Sequence, residues 1–190
     1  MYQRILSNFA MHVHLTVAEA EYVTARLQKK QVKKGEVLLN AGEICRNIYF
    51  IDSGCLRMYY TDTDAEDHNI LFCPENWWSV DIASFSGQRP AFYNISALED
   101  TSVFYLSFAT LEQLYVDVPK MERFFRILTQ NGFNLYQQRI TSNLSQSAEE
   151  RYELFQKQYP KLEQRIAQKQ IASYLGITPV FLSMIRGRNG

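Results

Sequence analysis

Residues 168–188 read QKQIASYLGITPVFLSMIRGR. The side chains here that could do chemistry are cationic or hydrogen-bonding: Lys169, Thr178, Ser183, Arg186 and Arg188. None forms a nucleophile–base pair or a metal-ligand set, so the chemistry is non-covalent. Cations and hydroxyls suit the phosphate oxygens and base edges of a nucleic-acid duplex. Pro179, Val180, Phe181 and Met184 lie among them. Val180, Phe181 and Met184 offer apolar contact to thymine methyl groups but no bidentate hydrogen bond to a purine. Together these residues are the candidate contact set, and they predict an A/T-leaning site with modest sequence discrimination.

Two helices and a tight turn are needed to present such a set. Ile171 and Leu175 are four apart and share a helical face, with Ala172 small enough for a close crossing. Gly176 falls where the first helix must stop in a left-handed conformation. Thr178 can cap a second helix and Pro179 can open it without losing a hydrogen bond. Leu182 and Ile185 turn that helix back onto the first. The pattern is a helix-turn-helix, whose second helix enters a major groove. Charge agrees with a phosphate partner. Residues 161–190 hold five basic residues (Lys161, Arg165, Lys169, Arg186, Arg188) against the single acid Glu163, in a chain with 20 of each sign. The competing readings are a structural αα-hairpin with a solvated face, and a protein-interaction module whose helix-turn-helix no longer reads DNA.

An enzyme is not expected. The histidines are His12, His14 and His68, two of them in the N-terminal helical region and one beside a turn. A cupin-type metal site would need His and carboxylates clustered on strands. No Ser–His–Asp or Cys–His arrangement is readable. No catalytic residue, metal site or cofactor is assigned. Cys45, Cys55 and Cys73 form no framework of pairs and suit a reducing compartment as buried small hydrophobes. At 190 residues, 46% hydrophobic and 14% aromatic, the chain can fill one or two cores. It has no apolar run near the ~20 residues of a membrane helix, and its start lacks the features of a signal peptide. The expected location is cytoplasmic.

The chain reads as α+β. Residues 1–15 and 16–28 suggest two helices, the second with Thr16 and Glu19 as a capping box. Residues 31–106 are short Val-, Ile-, Tyr- and Phe-rich runs between turns, with strands at 48–51, 56–60, 69–72, 93–98 and 102–106, which suggests an antiparallel sandwich, roll or barrel. A short helix spans 109–116 and a long one 120–145. Met121, Phe125, Leu128, Gly132 and Leu135 alternate in steps of four and three along the long helix, a coiled-coil spacing that marks them as the candidate dimerisation seam. One side of that helix is expected on the roll and one on a partner. Ser147 and Glu150 form a second capping box, opening a helix over 148–158. The domain boundary is therefore placed at 146/147: residues 1–146 for roll and long helix, 147–190 for the DNA-binding unit.

In this order the elements resemble the Crp/Fnr family of bacterial transcription regulators. The resemblance rests on residues 33–43 (KKGEVLLNAGE), residues 48–57 (IYFIDSGCLR) with Gly54 at the turn, and the helix-turn-helix of residues 168–186. It implies a cyclic nucleotide-binding-like β-roll (a jelly roll, or double-stranded β-helix), a homodimer paired through the long helix, and duplex DNA as partner. Activation would require contact with RNA polymerase. The wing hairpin usual in the family is expected to be reduced. An effector pocket between roll and helix is implied, with Trp78, Asp81, Phe85, Arg89, Tyr93 and Asn94 as lining candidates and Tyr136 facing them from the helix. The same aromatics suit a filled roll interior, which is the preferred reading; a small apolar or aromatic effector is the alternative. Cyclic-nucleotide members carry Gly-Glu for the ribose and Arg-Ser for the phosphate. This chain has no Gly-Glu pair there, and Arg89 is followed by Pro90, which offers neither hydroxyl nor N–H. That argues against a cyclic nucleotide. Oxygen-sensing members hold an iron–sulfur cluster on four cysteines; three at these spacings argue against one.

Overall fold

The computed structural model describes residues 1–188. Two short helices, α1 (Gln3–Ala10) and α2 (Val17–Thr24), precede eight strands. Thr16 and Glu19 form the expected capping box on α2. The strands are β1 (Gln28–Val32), β2 (Val37–Leu39), β3 (Asn47–Ser53), β4 (Leu56–Thr61), β5 (Asp67–Cys73), β6 (Trp78–Ser79), β7 (Asn94–Ala97) and β8 (Thr101–Ser107), with α3 (Ile82–Gly87) between β6 and β7. They pair antiparallel in two four-stranded sheets, ordered β1-β8-β3-β6 and β2-β7-β4-β5. This is the α+β roll read from the sequence. Alternation does the folding: residues buried from both sheets, among them Phe50, Leu56, Ile95 and Val103, fill the space between them. The β3–β4 turn needs Gly54, which has φ +89°; a Cβ there would lie 2.5 Å from Thr101 Oγ1 and 2.7 Å from the Asp100 carbonyl.

After β8 come α4 (Phe108–Asp117), α5 (Lys120–Ser145), α6 (Ala148–Gln158), a 3-10 turn (Leu162–Gln164), α7 (Gln168–Leu175) and α8 (Pro179–Arg188). Ser147 and Glu150 cap α6 reciprocally, as their spacing predicts. Among the described residues no strand follows β8, so residues 159–167 carry a 3-10 turn rather than a hairpin.

The long helix corrects the seam assignment at its first two positions, Met121 and Phe125. Met121 is fully buried and Phe125 is 5% exposed, both in the core beneath the roll; Leu128 and Leu135 are half-buried against their own chain. The 4-3 stripe Met121, Phe125, Leu128, Gly132, Leu135 thus begins in the core of its own chain and rises toward the surface, where Gly132 faces open space. Trp78, Phe9, Phe124 and Phe125 pack edge-on or tilted around it, which anchors the first half of the helix. Spacing cannot distinguish an intramolecular stripe from an intermolecular one, because both follow the same helical period. The apolar residues that α5 leaves exposed are Phe133, Ile140 and Leu144, at 61%, 61% and 84%.

Two hydrophobic clusters result. One lies within the roll and under α1, α4 and α5. The other joins Cys55 of the β3–β4 turn and Phe72 of the second sheet to Tyr152, Phe155, Tyr159, Leu162, Ile171, Leu175, Leu182 and Ile185 of the C-terminal segment.

Candidate nucleic-acid interface and sensory region

The turn between α7 and α8 forms as its residues demand. Gly176 takes φ +66°, the N–H of Ile177 donates to the carbonyl of Ala172 and that of Gly176 to Ser173, giving a Schellman stop. Thr178 Oγ1 then accepts from the N–H of Phe181 at 3.2 Å, capping α8. Leu182 and Ile185 are buried, so the helix is fixed in rotation. Pro179, Ser183, Val180 and Met184 face outward, the last two 71% and 51% exposed. Lys169 is exposed on α7, Arg186 is partly exposed, and Phe181 is half-buried against the C-terminal cluster. Arg188 ends α8, and its side chain lies outside the described residues. The structure therefore gathers Thr178, Pro179, Val180, Ser183 and Met184 on one exposed face, with Lys169 on the neighbouring helix.

Arg165, counted among the basic residues of this region, is engaged elsewhere. Its guanidinium binds Glu75 in a two-pronged pair at 2.8 and 2.9 Å and also pairs with Glu99. Burial alone would raise the Glu75 carboxyl, but Arg165 and the N–H of Gly54 hold it below the usual carboxylate range. Both hydrogen-bonded carboxylates keep Arg165 strongly protonated.

That ion pair belongs to a junction between roll and helix-turn-helix that the sequence did not disclose. Helix α7 lies along β5, an edge strand of the second sheet. The N–H of Asn69 donates to Ser173 Oγ at 2.9 Å, and Ser173 donates to the carbonyl of Asp67 at 2.6 Å, so α7 satisfies the strand's outer edge. Asn69 Nδ2 donates to Gln170 Oε1 at 2.7 Å, and Arg57 donates to the same oxygen at 3.0 Å while pairing with Asp67. From α5, Arg139 donates to the carbonyls of Ile70, Asn69 and Tyr174, and its guanidinium stacks 3.9 Å from the Tyr174 ring centre. Burial pulls the Arg139 guanidinium below its ordinary value. One signal for Arg139 existed in the sequence: it continues the inner stripe of α5 one step past Leu135, where an apolar residue would be expected.

Three of the effector candidates, Trp78, Phe85 and Asp81, have structural partners within the roll. Trp78 is 7% exposed, and its Nε1 donates to Asn8 Oδ1 at 2.9 Å within the roll core. Phe85 is 4% exposed and packs edge-on against Phe108. Asp81 is buried and its carboxylate accepts the N–H groups of Ser84, Phe92 and Tyr93 at 3.0, 3.1 and 3.3 Å, capping α3. Those three donors form a small anion-binding nest that the chain fills itself. Arg89 is exposed, while Asn94 accepts from the N–H of Ala41. Tyr93 and Tyr136 are half-buried against the core, and burial raises the Tyr136 phenol well above its ordinary value. The preferred reading of filled aromatic core thus holds for Trp78 and Phe85. All three cysteines are buried, and burial pushes the Cys73 thiol up to about 12.

Residues 29–117 match the family model of the cyclic nucleotide-binding domain. The chain is 29% identical over 173 residues to the fumarate and nitrate reduction regulatory protein of Vibrio cholerae, covering 85% of this chain and 68% of that one. Among solved structures it is similar to FixK2 from Bradyrhizobium japonicum, with a TM-score of 0.77, 16% identity, and coverage of 85% and 83% of the two chains. It is also similar to a transcriptional regulator of the Crp/Fnr family from Eubacterium rectale, with a TM-score of 0.69, 20% identity, and coverage of 90% and 82%.

Proposed function

We propose that the chain is a transcription regulator of the Crp/Fnr type, as its similarity to such regulators supports, and that it binds duplex DNA as a homodimer, with α8 as the reading helix. The observation that carries this reading is the outer face of α8. Thr178, Pro179, Val180, Ser183 and Met184 stand exposed on a helix whose opposite face is locked by Leu182 and Ile185. An exposed apolar pair flanked by hydroxyls and cations fits a groove lined with thymine methyls and phosphates. Lys169 and Arg186 serve as phosphate contacts, with Arg188 beyond them; Phe181 supports the helix from beneath. Residues 1–146 act as the roll and dimerisation unit and 147–190 as the DNA-binding unit.

The homodimer is assigned to the exposed side of α5, where Phe133, Ile140 and Leu144 recur in steps of seven and four. The roll serves as a sensory domain without a cyclic nucleotide as ligand, since it lacks the Gly-Glu pair and Arg89 is followed by Pro90.

Selection of bound duplexes from sheared genomic DNA tests this reading. Enrichment of a two-fold symmetric, A/T-leaning site is expected, with affinity falling by roughly 0.9 log units per log unit of salt for each phosphate contact. Arg186→Ala should weaken all sequences alike, while Met184→Ala should change preference. Salt-independent binding to a protein partner, with no duplex enriched, would favour the interaction-module reading that Val180 and Met184 also permit.

A further inference from the structure

A cleft of about 340 Å³ opens where the C-terminal half of α5 meets α6 and α7. It is separate from the Asp81 region of the roll, and none of its lining residues belongs to the outer face of α8. We propose that it binds a small organic anion with an apolar body, of the aromatic carboxylate or sulfonate kind.

Charge points to the anion. Arg139, Arg151 and Lys157 line the cleft, and no Asp or Glu does. Among the described residues none of the three forms an ion pair. The two guanidiniums hydrogen-bond only to carbonyls, Arg139 to those of Ile70, Asn69 and Tyr174 and Arg151 to those of Gln146 and Leu175, and Arg139 also stacks on the Tyr174 ring. Capping the C-terminus of α7 explains one bond from each arginine, since the last carbonyls of a helix carry roughly half a negative charge. It does not balance three cations. It also leaves two donors on the lining with no partner, Arg151 Nε and Gln158 Nε2, both shielded from solvent by the protein. Buried donors are ordinarily satisfied, and leaving one unmet is costly. An anionic group seated between Arg151 and Lys157 would supply acceptors for the first of these donors and the missing charge.

Shape points to the apolar body. Leu135, Leu154, Phe155 and Leu175 supply the apolar part of the wall, with the Tyr174 ring and neutral polar side chains completing it, and the volume suits a ligand of one or two rings. Position gives such a ligand a consequence. Arg139 and Arg151 hold the carbonyls of Tyr174 and Leu175, the two residues just before the Gly176 turn that sets α8. A bound anion would draw on the Arg151 guanidinium, which holds the Leu175 carbonyl, and so bear on the base of the reading helix.

The test uses the full chain and the fluorescent probe 8-anilinonaphthalene-1-sulfonate, alongside N-phenyl-1-naphthylamine, which has the same rings without the sulfonate. Saturable one-to-one binding of the sulfonate is expected. Charge reversal in Lys157→Glu, on an exposed side chain, should weaken it about tenfold or more, with Arg151→Gln acting in the same direction. The uncharged probe should bind weakly and equally to all three proteins. Sulfonate binding unchanged by both substitutions, or matched by the uncharged probe, would overturn the assignment. Neither result depends on whether α8 reads DNA, so failure here and failure of the DNA reading are separable.

Discussion

Phe72→Ala should separate the unfolding of the C-terminal helices from that of the roll. Phe72 lies on β5 of the second sheet, yet it is fully buried in the C-terminal cluster. Its ring meets Tyr174, Tyr159 and Phe155 at centroid distances of 5.2, 5.7 and 6.1 Å. Truncating a buried Phe typically costs about 3–5 kcal/mol in lost transfer energy and cavity. Here the loss falls almost wholly on the contact between the two units. A unit the size of residues 147–188 stands near the ~40-residue limit below which a core seldom holds alone, so docking on the sheet supplies much of its stability. Urea unfolding followed by far-UV circular dichroism should show one transition in the parent and two in Phe72→Ala, the earlier one accounting for helical signal. Limited proteolysis should then cut near residue 146 first. The matched control is Phe50→Ala, equally buried but within the roll core, which should lower a single transition. A single transition in Phe72→Ala, shifted as in Phe50→Ala, would refute the idea that the junction is the weaker of the two cores.

Ile140→Asp or Leu144→Asp should convert a dimer to a monomer by sedimentation without loss of helix, whereas Met121→Asp should unfold the roll; an unchanged mass in the first two would place the dimer contact elsewhere. Gly176→Ala must accept φ +66° in otherwise open space and should cost about 1–2 kcal/mol, read as a modest fall in Tm. Gly54→Ala meets both φ +89° and backbone 2.7 Å away, so it should not yield folded protein; equal behaviour of the two variants would remove the role given to crowding. The Glu75 carboxyl is held below its ordinary value in the fold, so its pair with Arg165 stabilises fully above the unfolded value of about 4.3 and weakens as pH falls through the lower folded value. The stability gap between parent and Glu75→Gln should accordingly be constant from pH 7 to pH 5 and narrow below about pH 4; a gap that persists to pH 3 would contradict the assignment.

Sequence was sufficient wherever structure is set by local chemistry. Both capping boxes and the Thr178 cap follow from side chains that satisfy backbone groups within a few residues, and the Gly176 stop from a residue that takes positive φ at low cost. Alternating Val, Ile, Tyr and Phe runs gave five of the strands within a residue or two, because a half-buried strand has a period of two. The inward set of the helix-turn-helix was legible for the same reason. What sequence left open was which surface each pattern would meet. The stripe from Met121 to Leu135 could face its own roll or a second copy, and the packing of Trp78 and Phe9 on Phe124 and Phe125 decides for the roll only at its start. Asp81 looked like a polar handle for a ligand, yet the chain folds three of its own N–H groups onto it. Arg57, Asn69, Arg139, Gln170 and Ser173 are scattered over more than a hundred positions and share no period, so nothing in their spacing announces the junction they build. Local periodicity determines which residues turn inward; the closure of distant elements determines what they turn toward.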